Sequence, residues 1–303
     1  MKSAAWMLHS VQLAMAFAVG ASLCAYAQAP DPHGSAPDAE APSPAGPAAA
    51  PASRPRPYMD LLKDAKAIPG LFALHQKDEK VWLEIRPEQF DLPFFFAYNI
   101  PSSIGERGLY GSQMGRSRIA FFRRIGDRVQ LVARNEEFFA AQGTPQARFV
   151  AESFSDSLLA SAPLASLPNP ETKAVLVEAN ALLFTDIPGY LTRLEIAFRL
   201  PFALDARNTA ITQVNNGERL TGLQVRAHYA VPKLPAPPLN PPPAPVPTPP
   251  PPRTTPDPRS LFVSFYYSFM QLRARPLRPR LADQRLGHFT TSRVEYSEDT
   301  DVK

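Results

Sequence analysis

Past Pro57 the apolar positions fall into two rhythms. Tyr58, Leu61, Leu62 and Ala65 recur at the i, i+3, i+4, i+7 spacing of one helix face. That predicts a short amphipathic helix, stopped by Pro69 and Gly70. From Leu71 the period changes to two. Residues 71–75 and 80–85, parted by the polar turn 76–79, read as a β-hairpin with Val81, Leu83 and Ile85 on one face. Pro87 cannot donate to a ladder and ends the second strand. Residues 94–100 follow as a strand apolar enough to be buried on both faces.

The clearest hairpin lies beyond a loop holding Gly105, Gly108, Gly111 and Gly115. Residues 117–124 and 128–134 alternate around the turn 125–127, and Ile119, Phe121, Val129 and Leu131 are expected to form its core face. Residues 149–167 fit a strand and a helix equally well. Residues 173–179, 181–185, 194–200 and 220–231 read as strands, with turns at 186–189 and 215–218. Strong alternation resumes over 261–272. The Pro-rich stretch 235–258 that precedes it is expected as a loop between two strands of one sheet, since closing a long loop adds little entropy cost. The fold class is therefore mainly β, with antiparallel sheets (sandwich-like or open) and a short N-terminal helix.

Composition divides the chain. Residues 28–56 are mostly Ala, Pro, Ser and Gly, too poor in large apolar side chains to offset their ordering entropy, and read as a disordered linker. Residues 57–105 form a small leading domain of helix plus hairpin, and 106–303 a β-rich domain carrying the insertion 235–258. Ahead of the linker, Lys2, the uncharged apolar run 11–24 and Ala25-Tyr26-Ala27 make a signal peptide, 1–27, cleaved after Ala27. The run is short of the roughly 20 apolar residues a bilayer span needs. The protein is thus expected in the periplasm or the medium, with no membrane association after cleavage. Cys24, the one cysteine, leaves with the signal, which removes disulfides and thiolate zinc sites from the mature chain. A net charge of +4 on 303 residues argues against a polyanionic partner, nucleic acid included.

Motifs that carry chemistry are absent. Of His9, His33, His75, His228 and His288, none has a second histidine at ligand spacing, and no HExxH pair exists. There is no GxSxG elbow; Ser153, Ser155 and Ser157 form only a polar run. Glu136 and Glu137 are sequence neighbours, whereas paired catalytic carboxylates must face each other across a cleft. Arg116, Arg118, Arg123, Arg124, Arg128 and Arg134 gather on one hairpin and read as solvated strand faces. A second cluster, Arg273, Arg275, Arg278, Arg280 and Arg285, brackets Asp283, which can accept a bidentate pair from Arg280 or Arg285. No catalytic, cofactor-binding or metal-ligating residue is assigned.

The segment Ser264–Leu272, followed by Pro279-Arg280, Asp283, Arg285, Gly287 and Phe289-Thr290, resembles a hallmark of a family of large exported bacterial zinc-dependent metalloproteases. In that family two uncharacterised domains precede a metzincin-like catalytic domain. Tyr58, Gly70-Leu71-Phe72, His75, Asp78, Lys80 and Leu83-Glu84-Ile85 are similar to its small leading domain, and residues 181–186 to a stretch of the next. His288 replaces a usual tyrosine, and the Pro-rich insertion is unusually long. The resemblance implies a non-catalytic pro-, folding or docking region whose partner is a catalytic domain in cis. Zinc and its HExxH helix are expected in that domain, beyond Lys303, so no cofactor is expected in this chain. The alternative is a free-standing periplasmic binding or scaffold protein without enzymatic activity.

Overall fold

A computed structural model describes residues 54–236, 249–275, 283, 285, 287 and 291–296. The signal peptide and most of the linker, half of the Pro-rich stretch, Arg278, Arg280 and His288 lie outside the described residues. The protein is mainly β, built of antiparallel sheets that include a curled half-barrel.

The elements in chain order begin with α1 (Tyr58–Leu62), β1 (Lys66–Ile68), β2 (Leu74–Lys77), β3 (Lys80–Ile85), β4 (Phe94–Ser102), β5 (Gln113–Ile125), β6 (Arg128–Ala133) and β7 (Phe138–Phe139). Next come α2 (Pro145–Ser153), β8 (Ser157–Pro163), β9 (Val175–Glu178), α3 (Ala179–Leu183) and α4 (Tyr190–Phe198). The remainder is β10 (Ala203–Leu204), β11 (Ala210–Gly217), β12 (Leu220–Ala230), β13 (Ser260–Gln271) and β14 (Val294–Glu295). A four-stranded sheet has the order β1-β2-β3-β9. An eight-stranded sheet runs β10-β12-β13-β4-β5-β6-β8, with β11 also on β12.

One hydrophobic core joins the two sheets. Val81, Leu83 and Ile85 face it as expected, together with Phe94, Phe96, Phe122, Leu131, Phe265 and Phe269. The rings of Phe72, Phe94 and Phe122 meet at centroid distances of 5.1–5.5 Å, and Phe269 lies 5.8 Å from Phe122. On the opposite face of the small sheet, Trp82 and Leu176 pack with Tyr58 of α1 in a second cluster. The connection from β12 to β13, which carries the Pro-rich stretch, joins antiparallel neighbours in one sheet, Ala230 opposite Ser260. Its described part is pinned by Arg253 and Thr254, whose amides donate to the Glu106 carboxylate at 2.8 and 3.1 Å.

Several expectations are corrected. The first helix ends at Leu62, and β1 occupies part of the span before Pro69. The β2 strand starts at Leu74, and its turn is only Asp78-Glu79, with Asp78 in the left-handed region at φ 53°. The β4 strand is covered unequally on its two faces: Phe94 and Phe96 enter the core, while on the other face Ala97 is buried and Phe95 half-buried. Its Tyr98 ring lies against Gly115, where a Cβ would come within 2.2 Å of the ring.

The core face of β5 is also the opposite of that expected: Ala120 and Phe122 face inward, and Phe121 lies outside the main core with the Arg123 guanidinium 4.7 Å above its ring. Two adjacent phenylalanines satisfy either phase, and packing with Phe94 and Phe269 selects one. Residues 149–167 divide between the end of α2 and β8. Residues 181–185 are helical or bent rather than a strand, and 194–200 begin inside α4. There Tyr190, Leu194, Ala197 and Phe198 are buried at helical spacing, and Ile196 is 64 % exposed.

Candidate functional site

The described residues form a groove of about 750 Å³ at the β8 side of the large sheet. Phe95 and Ile119, directly opposite each other on β4 and β5, give it an apolar part. Arg116, Ser117 and Arg118 come from β5, and Arg134 to Glu137 from the connection between β6 and β7. Ser155 and Ser157 lie at the start of β8, and Thr291 to Arg293 lead into β14.

That last segment is held in place by several contacts. The β14 strand pairs in parallel with β7, with the Val294 amide donating to the Glu137 carbonyl at 2.7 Å and that of Tyr296 to Phe139 at 2.9 Å. Arg293 donates to the Glu136 carbonyl and carboxylate and lies 4.6 Å above the Phe139 ring. Beneath, the rings of Phe138 and Phe154 stack at 3.9 Å, and Tyr296 packs against Phe149 and Phe154.

The arginines of the β5–β6 hairpin divide into two groups. Arg123 pairs with Asp91 at 2.9 Å, and Arg134 with Glu136. Arg124 donates to the Gly126 carbonyl, and Arg128 to Ser161. Arg116 and Arg118 have no hydrogen-bond or ion-pair partner among the described residues, although Arg118 is half-buried. Both line the groove.

Two histidines that looked isolated in the sequence have carboxylate partners. On the small sheet His75 Nε2 is 2.7 Å from Glu84 Oε2. That hydrogen bond is the leading cause holding the Glu84 carboxyl below its usual range, while burial and Glu84 push the Tyr58 hydroxyl up to about 12. On the large sheet His228 Nδ1 is 3.1 Å from Asp205 Oδ2, and its Nε2 is 2.9 Å from Ser260 Oγ. Asp205 is held below the usual carboxylate range by hydrogen bonds from Asn208 and then His228. An ionised aspartate only accepts, so Nδ1 carries a proton and donates it to Asp205.

This is the connectivity of a serine-hydrolase relay. Its surroundings differ from one. The Ser260 amide, which such enzymes turn on the developing oxyanion, donates instead to the Asp257 carbonyl at 3.1 Å. None of the three residues lines the groove. What the relay does is tie the helical turn 206–208 to β12 and β13, with the His228 ring 4.8 Å from that of Phe262.

The remaining sequence candidates are scattered. Asp283, half-buried, accepts a bidentate pair from the exposed Arg285 at 3.0 and 2.6 Å. Glu136 bridges Arg134 and Arg293, whereas Glu137 lines the groove beside it. Ser155 and Ser157 reach the groove, and Ser153 ends α2. Among the described residues no group of three or more His, Cys, Asp or Glu side chains could hold a metal ion, and no helix is long and apolar enough to cross a membrane. Sequence inspection missed the relay because Asp205 and Ser260 lie 23 and 32 residues from His228. Only the pairing of β12 with β13, and the turn before β11, bring them together.

No curated protein and no solved structure matches the chain. Residues 55–96, from the approach to α1 to the start of β4, match a second domain of unknown function, DUF5118. The longer match covers residues 111–303, and by it the chain belongs to the family described as domain of unknown function DUF5117.

Proposed function

We propose that the chain is the non-catalytic N-terminal region of an exported zinc-dependent metallopeptidase, serving the folding or docking of a catalytic domain in cis. The observation that carries this reading is where the resembling segments fall. The stretches in β3, α3 and β13 supply buried core residues, among them Leu83, Ile85, Leu183, Phe265 and Phe269. The two family matches follow each other in the order that the resemblance implies. The described residues do not fit a zinc ion, so in this reading zinc belongs to the catalytic domain, and no chemical step is assigned to this chain.

The second reading, a free-standing periplasmic binding or scaffold protein, is favoured by the arginine-lined groove. Intact mass and zinc content of the polypeptide recovered from the producing cells separate the two. A zinc-loaded polypeptide much larger than 33.3 kDa that carries this sequence supports the protease reading. A zinc-free product no larger than this chain overturns it.

A further inference from the structure

We propose that the groove bounded by β5, the β6–β7 connection, β8 and the segment before β14 binds an extended acidic peptide whose carboxylates pair with Arg116 and Arg118. The proposal does not depend on a catalytic domain being attached. Its first support is the contrast within one hairpin. Arg123, Arg124, Arg128 and Arg134 are each engaged by a carboxylate, carbonyl or hydroxyl. Arg116 and Arg118, with no such partner among the described residues, both line the groove, where the other lining arginines, Arg134 and Arg293, are held by Glu136. A guanidinium is always charged and presents a planar fork that fits a carboxylate. Arg118 is half-buried, so a carboxylate there would compensate a charge that has lost part of its hydration.

The rest of the lining favours a peptide over other anions. Phe95 and Ile119 can cover an aliphatic side chain, and Ser155, Ser157, Thr291 and Ser292 can bond its main-chain amides. Glu136 and Glu137 also line the groove, where they would repel the unbroken negative charge of a nucleic-acid backbone. A peptide places its carboxylates at intervals and avoids that repulsion. At about 750 Å³ the groove lies within the usual range for a ligand site.

The test is fluorescence anisotropy on the full chain with a labelled octapeptide of alternating glutamate and leucine. A lysine-for-glutamate peptide, an oligothymidylate of equal length and inorganic phosphate serve as competitors. The glutamate peptide should bind and resist all three. The double variant Arg116→Gln/Arg118→Gln should weaken it about tenfold or more, whereas Arg124→Gln/Arg128→Gln, with the same change in charge, should leave it within about twofold. Arg118→Lys keeps the charge, loses the fork and should fall between, which keeps the test decisive if the double variant misfolds. Equal losses in the two double variants, tighter binding of the oligonucleotide, displacement by phosphate, or no peptide binding at millimolar concentration would each overturn the proposal.

Discussion

Asp186, in the connection between α3 and α4, hydrogen-bonds to Tyr229 on the β12 half of the large sheet; the groove arginines lie on its β5 half, and the two are treated in opposite ways. Asp186 is half-buried and fully engaged. Its oxygens accept the Tyr190 amide at 2.8 Å, the Leu191 amide at 3.0 Å and the Tyr229 hydroxyl at 3.2 Å. Burial nonetheless pushes its carboxyl above the ordinary range, against those hydrogen bonds. Arg116 and Arg118, on the β5 half, lie in a groove with no such partners among the described residues. A charge satisfied by its own chain serves the fold, since its removal strands other groups. A charge left unsatisfied is available to something else. The two halves should therefore respond differently to substitution: the first in stability, the second in binding.

The largest effect belongs to the first half. Phe269 of β13 is 1 % exposed and packs against Phe72, Phe94, Phe96 and Phe122. Phe269→Ala should cost roughly 3–5 kcal/mol, read as a lower urea midpoint. A loss near that of a surface substitution would break the view of this half as the stability-bearing one. Asp186→Ala comes next, at about 2 kcal/mol, because two helix amides and the Tyr229 hydroxyl lose their acceptor together. Asp186→Asn keeps one carbonyl acceptor and should lie between the parent and Ala. If Asn is as damaging as Ala, the charge and not the capping matters.

A third site sharpens the contrast through pH. Glu84 accepts a hydrogen bond from His75 in the small sheet, and its folded-state value lies below the ordinary one. A depressed carboxyl contributes stability that is present above its unfolded value, near pH 4.5, and is lost as pH falls through the lower folded value. Asp186 has the reverse sign: its raised value favours the folded state below its unfolded value, near 3.8, and that benefit is lost as pH rises through the folded one. Unfolding midpoints measured from pH 6 to pH 2.5 should therefore fall more steeply for the parent than for Glu84→Gln. Parallel curves would remove Glu84 from the account.

The same contrast governs how much could be read without coordinates. Both early hairpins were legible because a strand, a short polar turn and a second strand are local. The β13 strand was legible because its alternation is long. At α4 the residues served two readings: Leu194, Ile196, Phe198 and Leu200 keep period two, while Tyr190, Leu194, Ala197 and Phe198 keep helical spacing. The cap supplied by Asp186, the left-handed Gly189 at φ 64° and a core on one side decide for the helix. On β5, Phe121 and Phe122 leave the phase open until distant rings pack on one of them. The groove had no local signature at all. It takes residues from 95 to 293, so the pattern that marks it, two arginines without partners among the described residues, exists only once β14 lies beside β7.

The smallest expected effect is the one that bears most directly on the comparison. Arg116→Gln/Arg118→Gln removes two charges without breaking an ion pair or stranding an acceptor among the described residues. The aliphatic part of each stem is nearly matched by glutamine. The urea midpoint should therefore stay within the roughly 0.5 kcal/mol typical of surface substitutions, even as peptide affinity falls. Arg123→Gln is the internal reference: it breaks an exposed pair with Asp91 and loosens the guanidinium over Phe121, so a small destabilisation is expected. If the groove variant proves the less stable of the two, Arg116 and Arg118 are serving the fold after all, and the division between the two halves of the sheet fails.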